Sequence, residues 1–103
     1  MARQQVQKSE KSGALDRAIL IFQAVQNWNL QHPDLSFAVT LGLLKDEFGI
    51  NFKAARSFLD ERREEIWELH QTSGVENPRS HNRLHGRDMG ELKRFVKRFG
   101  EQG

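Results

Sequence analysis

The stretch LLKDEFGINFKAARSFL, residues 43–59, constrains the fold more than any other part of the chain. One helix-like run ends at Phe48–Gly49, and a second begins after only Ile50 and Asn51. Two helices linked by so few residues meet at a corner. A corner needs one residue that tolerates positive φ, which Gly49 supplies, and apolar side chains where the two arms touch. Leu44, Phe48, Ile50, Ala55 and Phe58 are therefore expected to face inward. Lys45, between them, must turn out to solvent. Asn51 stands where an N-cap would open the second arm.

The rest of the chain reads as helix, and no stretch alternates well enough to make a long strand. The fold class expected is an all-α small domain of four helices. The first runs from Gly13 to Leu30 with Ser12 as N-cap, and Leu15, Ala18, Ile19, Phe22, Val25 and Trp28 form its apolar stripe. QHPD ends it, because Pro33 pushes His32 away from helical angles. The second starts between Ser36 and Thr40, after residues that are β-branched enough to be extended, and stops at Gly49. The third spans Phe52–His70, with Ala55, Phe58, Leu59, Ile66 and Leu69 as its core stripe and Arg62 laying its stem along it. Pairs such as Asp60–Arg63 and Arg62–Glu65 would support its exposed side. Residues 71–87 carry Gly, Pro, Asn and Ser at loop frequency. Asp88 then caps a short C-terminal helix, with Glu91 three residues on and Leu92, Phe95, Val96 and Phe99 as its stripe. The organisation expected is a disordered basic leader at 1–12, a helical core at 13–70, a basic loop at 71–87, and a C-terminal helix and tail at 88–103 within the same domain.

Charge is distributed unevenly. The net charge of +2 divides into +2 for residues 1–12, zero for 13–33, −3 for 34–70 and +3 for 71–103. Basic ends around an acidic body point to an acidic partner touched at the ends, or to two solvated tails. No apolar run approaches the roughly 20 residues of a membrane span, and the polar N-terminus has no apolar signal-peptide core. With no cysteine there is neither a disulfide framework nor a thiolate metal site, which fits the cytoplasm.

The corner resembles a helix-turn-helix of the bacterial repressor and resolvase kind, formed by the second and third helices. In that pattern a glycine at the turn is flanked by apolar residues, as Phe48 and Ile50 flank Gly49. Another apolar residue precedes it by five positions (Leu44), and two follow by six and nine (Ala55, Phe58). Two positions depart from the pattern: Lys45 stands where a small residue is usual, and Phe52 where a polar one is common. A second, sparser resemblance runs over residues 14–98. Asn51, EEI at 64–66, His70, a glycine-containing loop and HNR at 81–83 follow one another as in small helical segments of protelomerase-type (telomere resolvase-like) proteins of cyanobacterial mobile elements. That kinship implies a DNA-binding accessory module, since the chain is too short to hold a strand-cleaving domain.

The resemblance implies double-stranded DNA as partner, with the opening turns of the third helix in the major groove. Asn51, Phe52, Lys53, Arg56 and Ser57 are the candidates there. Lys53 and Arg56 share a face, and an arginine can bond guanine O6 and N7 together. Asn51 has capping as its alternative task. Phe52 either meets a thymine methyl or folds back on the second helix. The acids after Ser57 would repel phosphate, so only the helix opening is expected near DNA. A second candidate is NPRSHNRLHGR, residues 77–87, with three Arg, two His and no acid. Here Arg79, His81, Asn82, Arg83 and Arg87 either follow a phosphate backbone or form a solvated loop. Lys93, Arg94, Lys97 and Arg98 extend the track or make the wet face of the last helix, and Arg3, Lys8 and Lys11 of the leader offer the same two readings.

Catalysis is not expected: there is no Gly-rich phosphate loop, nucleophile elbow or paired carboxylates, and no cofactor or small-molecule substrate is indicated. His81 and His85 are four apart, but Pro78 and Gly86 put them in a loop without further ligands, so no metal is expected. The function expected is sequence-preferring DNA binding by a regulator or accessory factor of a plasmid or mobile element, as a dimer or beside another protein. It would be nucleoid-associated. The alternative is a protein-interaction module using Trp28, Trp67 and the acidic third helix.

Overall fold

A computed structural model describes the backbone of residues 2–102 and the side chains of residues 13–101. The protein is an all-α domain. In chain order it comprises α1 (Ala2–Gln31), a 3-10 turn (Pro33–Leu35), a π-helical segment (Leu43–Glu47), α2 (Phe52–Glu61), α3 (Arg63–Thr72), α4 (Pro78–His81) and α5 (Met89–Gln102). No strand occurs among the described residues.

α1 is longer than expected. Its predicted start at Gly13 lies inside a continuous helix, because the Gln, Lys and Glu of the leader favour helix and no proline interrupts them. The leader's side chains, Arg3, Lys8 and Lys11 among them, lie outside the described residues. From Ala18 onward α1 is the spine of the core: Ala18, Ile21, Phe22, Ala24, Val25 and Trp28 are buried, while Leu15 and Ile19 pack at the margin. Aromatic contacts tie the other elements to it. The Phe22 ring meets Phe58 of α2 edge-on at 6.0 Å, and Trp28 meets Phe37 at 5.9 Å and Phe95 of α5 at 5.5 Å. Trp28 also donates its indole N–H to the Leu35 carbonyl at 2.9 Å, which stops the chain as it leaves the helix.

The predicted third helix is two helices. Arg62, with φ −108° and ψ 25°, breaks it after Glu61, and α3 sets off afresh. The guanidinium of Arg62 lies 6.0 Å from the Phe58 ring centroid and 3.4 Å from Glu65. Its stem thus covers the core edge as expected, while the Asp60–Arg63 pair does not form among the described residues.

Between α1 and the π segment, Ser36, Phe37, Ala38 and Val39 form a non-helical strip, entered by Ser36 in the extended region, that is almost completely buried, at 0–2% exposure. A buried non-helical strip must have its main-chain groups hydrogen-bonded, and in this domain side chains supply the partners. Asn29 accepts from Phe37 N–H at 2.8 Å and donates to its carbonyl at 3.0 Å. Asn82 does the same for Ala38, at 2.7 and 3.0 Å. His70 Nε2 accepts from Val39 N–H at 3.0 Å, and Arg87 Nε donates to the Ser36 carbonyl at 3.1 Å. The strip carries the chain to Thr40, whose hydroxyl accepts from Leu43 N–H and opens the corner.

Candidate nucleic-acid interface

The first arm of the corner is the π segment. Phe48 N–H reaches back five residues to Leu43 O at 3.2 Å, Gly49 N–H bonds Lys45 O, and Ile50 N–H bonds Leu44 O at 2.8 Å. Gly49 takes φ +73°, the left-handed conformation the turn requires. Arg17 of α1 donates to the Phe48 carbonyl at 2.7 Å, satisfying an acceptor that the end of the helix leaves open. Lys93 of α5 meets Glu47 at 3.3 Å. The bend is therefore held from both flanks.

Leu44, Ile50, Ala55 and Phe58 are buried, Phe48 is half-buried and Lys45 is exposed, which is the inside–outside pattern expected of the corner. Asn51 caps α2 through its side chain, which accepts from Ala54 N–H at 2.8 Å. Phe52, Lys53, Arg56 and Ser57 are all exposed on the opening of α2. Phe52 has 54% of its surface free and does not fold back onto the first arm. Among the described residues neither Lys53 nor Arg56 makes an ion pair. Because the helix breaks at Arg62, Glu64, Glu65 and Glu68 belong to α3, and only Asp60 and Glu61 share α2 with the two cations.

The basic loop, expected either to follow a phosphate backbone or to be a solvated loop, is partly built into the domain. Asn77 caps the single turn of α4, accepting from Arg79 N–H at 3.2 Å. His81 is buried at 6% exposure, with Nε2 2.9 Å from Ser36 Oγ. That hydroxyl donates to Ser73 O at 3.0 Å, so the imidazole Nε2–H is the donor in the contact with Oγ. Asn82 and Arg87 hold the buried strip. Three of the five loop candidates thus make internal side-chain hydrogen bonds, while Arg79 and Arg83 are exposed and make none through their side chains among the described residues. On α5, Arg94, Lys97 and Arg98 are exposed, while Lys93 is exposed but paired with Glu47.

Both buried imidazoles favour the neutral form. Burial, then the neighbouring His81, lowers the pKa of His70 below its ordinary value. Burial, then the Arg87 charge, does the same for His81. Neither histidine entered the sequence reading as an internal strut. The available signal was position: Asn29 stands four after Val25 and His70 four after Ile66, polar residues set on otherwise apolar stripes. Trp28, expected as part of a protein interface, is 5% exposed and belongs to the core, whereas Trp67 is 61% exposed.

No helix of the described residues is long and apolar enough to cross a membrane. No protein-family model, curated protein or solved structure matches the chain.

Proposed function

We propose that the protein binds double-stranded DNA through a helix-turn-helix formed by the π segment and α2, acting as a regulatory or accessory factor of a plasmid or mobile element. The observation that carries this reading is the division of labour at the corner. The apolar residues of the corner, Leu44, Ile50, Ala55 and Phe58, are buried behind it, while Lys53, Arg56 and Ser57 are exposed on the first two turns of α2, with no ion pair among the described residues. A helix opening of this shape fits a major groove about 12 Å wide. Arg56 reads a guanine edge, and Lys53 and Ser57 flank it. Arg94, Lys97 and Arg98 of α5, with Arg79 and Arg83 of the loop, supply phosphate contacts. One ten-residue helix buries little surface, so binding as a homodimer or beside a protein partner is part of the proposal.

A salt titration on mixed-sequence duplex tests it. A binder making about six phosphate contacts loses roughly 10³-fold in affinity between about 50 and 200 mM salt. Arg56→Ala flattens sequence preference, whereas Lys97→Ala weakens all duplexes alike and lowers the salt slope by about 1. A uniform loss from both variants would put the recognition face elsewhere. Absence of binding to any duplex at low salt would leave the second reading, a protein-interaction module. Trp67, at 61% exposure among the glutamates of α3, and Leu30, at 82%, favour that reading.

A further inference from the structure

Phe52 is the anomaly of the α2 opening. It is an aromatic residue at the first helical position, on a turn whose other outward residues are polar, and more than half of its surface is open to solvent. It contributes nothing to the core and has no aromatic partner among the described residues. A single exposed apolar side chain is ordinary on a protein surface, as Leu30, Trp67 and Leu84 are here; what sets Phe52 apart is its place beside the exposed cations of the α2 opening. Phe52 and Arg56 are four residues apart and lie on the same face of α2, one turn from each other. Any surface that receives the guanidinium therefore also receives the ring.

Resting on the DNA-binding reading, we infer that Phe52 is a specificity determinant that recognises the 5-methyl group of a pyrimidine close to the guanine read by Arg56. The floor of the major groove is almost wholly polar, and the 5-methyl of thymine is the apolar group it offers. A purine edge or an unmethylated cytosine would set the ring against hydrogen-bonding groups it cannot satisfy. One helical turn advances about 5.4 Å, against about 3.4 Å per base step. The methyl-bearing base thus lies one or two steps from the guanine.

The test uses the full chain and duplexes recovered by it from a random pool at low salt, with affinity read by fluorescence anisotropy. Thymines near the shared guanine are replaced one at a time by uracil, which removes the methyl and leaves every hydrogen bond in place. At one thymine the exchange weakens binding about fourfold, the size of one buried methyl. Phe52→Ala binds the thymine and uracil duplexes equally, and its circular dichroism matches the parent's because the ring supports no packing. Cytosine at that position binds as weakly as uracil, and 5-methylcytosine recovers part of the loss, which separates the methyl group from the base pair. Recovered duplexes that bind tightly yet ignore uracil at every thymine would overturn the role of Phe52 and leave the DNA reading standing. A pool that yields no bound duplex overturns both.

Discussion

Gly49 carries the corner through its backbone alone. Its φ of +73° lies where an L side chain strains the main chain, yet a Cβ built there would meet no atom within 4 Å. Gly49→Ala therefore tests conformation without a steric clash, and the expected loss is about 1–2 kcal/mol. Gly49→Asn, a residue that visits the left-handed region more readily, recovers part of that loss. Urea denaturation followed by circular dichroism measures both, and equal stability for all three proteins would mean the turn relaxes out of the left-handed conformation. Asn51, two residues on, acts at the same scale. Its side-chain oxygen is committed to Ala54 N–H, which leaves Phe52, Lys53, Arg56 and Ser57 as the outward chemistry of the α2 opening.

Among the elements, the corner and α5 were legible in the sequence and the strip at 36–39 was only half so. Gly49 between two apolar-periodic runs, and Asp88 ahead of Leu92, Phe95, Val96 and Phe99, are local signals. Their residues do locally what the pattern says: Asp88 accepts from Glu91 N–H at 3.3 Å, and Leu92 is fully buried. The β-branched character of SFAVT marked a stretch outside the helices, with Ser36 extended as expected. It could not give the partners, because Asn29, His70 and Asn82 come from three distant parts of the chain and meet only in the folded state. The same long-range pairing explains why the HNR tract read as a basic binding loop: an asparagine that mimics a neighbouring strand has no short-range signature. The helix break at Arg62 was also hidden, since the charged run around it suits one long helix as well as two short ones. Removing a strut tests the element. Asn82→Ala leaves the N–H and C=O of fully buried Ala38 without partners, a cost of about 3 kcal/mol. Asn82→Asp keeps the acceptor for Ala38 N–H, loses the donor, and falls between the two in a urea midpoint series.

At the scale of the whole molecule, stability is coupled to proton binding through the same struts. The polar cluster joins the end of α1 (Asn29), the strip (Ser36 to Val39), α3 (His70), the turn after it (Ser73) and the loop (His81, Asn82, Arg87), so its protonation state bears on the fold and not on one loop. His70 can accept from Val39 N–H only while Nε2 is unprotonated, and protonating His81, whose Nε2 already donates to Ser36, would make the whole ring cationic beside the Arg87 guanidinium, whose Nη2 lies 3.5 Å from Nε2. Both pKa values lie below the ordinary 6.5 in the folded protein, through burial first. The unfolded chain then binds more protons than the folded one once the pH drops toward 6.5, and stability must rise with pH across that window. The contribution of the pair is complete above the unfolded value, is lost progressively as the pH falls through it, and levels off below the folded values. Urea midpoints measured from about pH 7.5 down to about pH 5, a range in which histidine is the side chain that ordinarily titrates, should therefore decline. In His70→Gln, whose amide oxygen still accepts a hydrogen bond but does not titrate, the decline becomes shallower even though the variant starts less stable at neutral pH. A parent protein whose midpoint holds constant or rises on acidification would contradict the neutral-histidine arrangement, and with it the account of how an all-α domain keeps a buried non-helical segment at its centre.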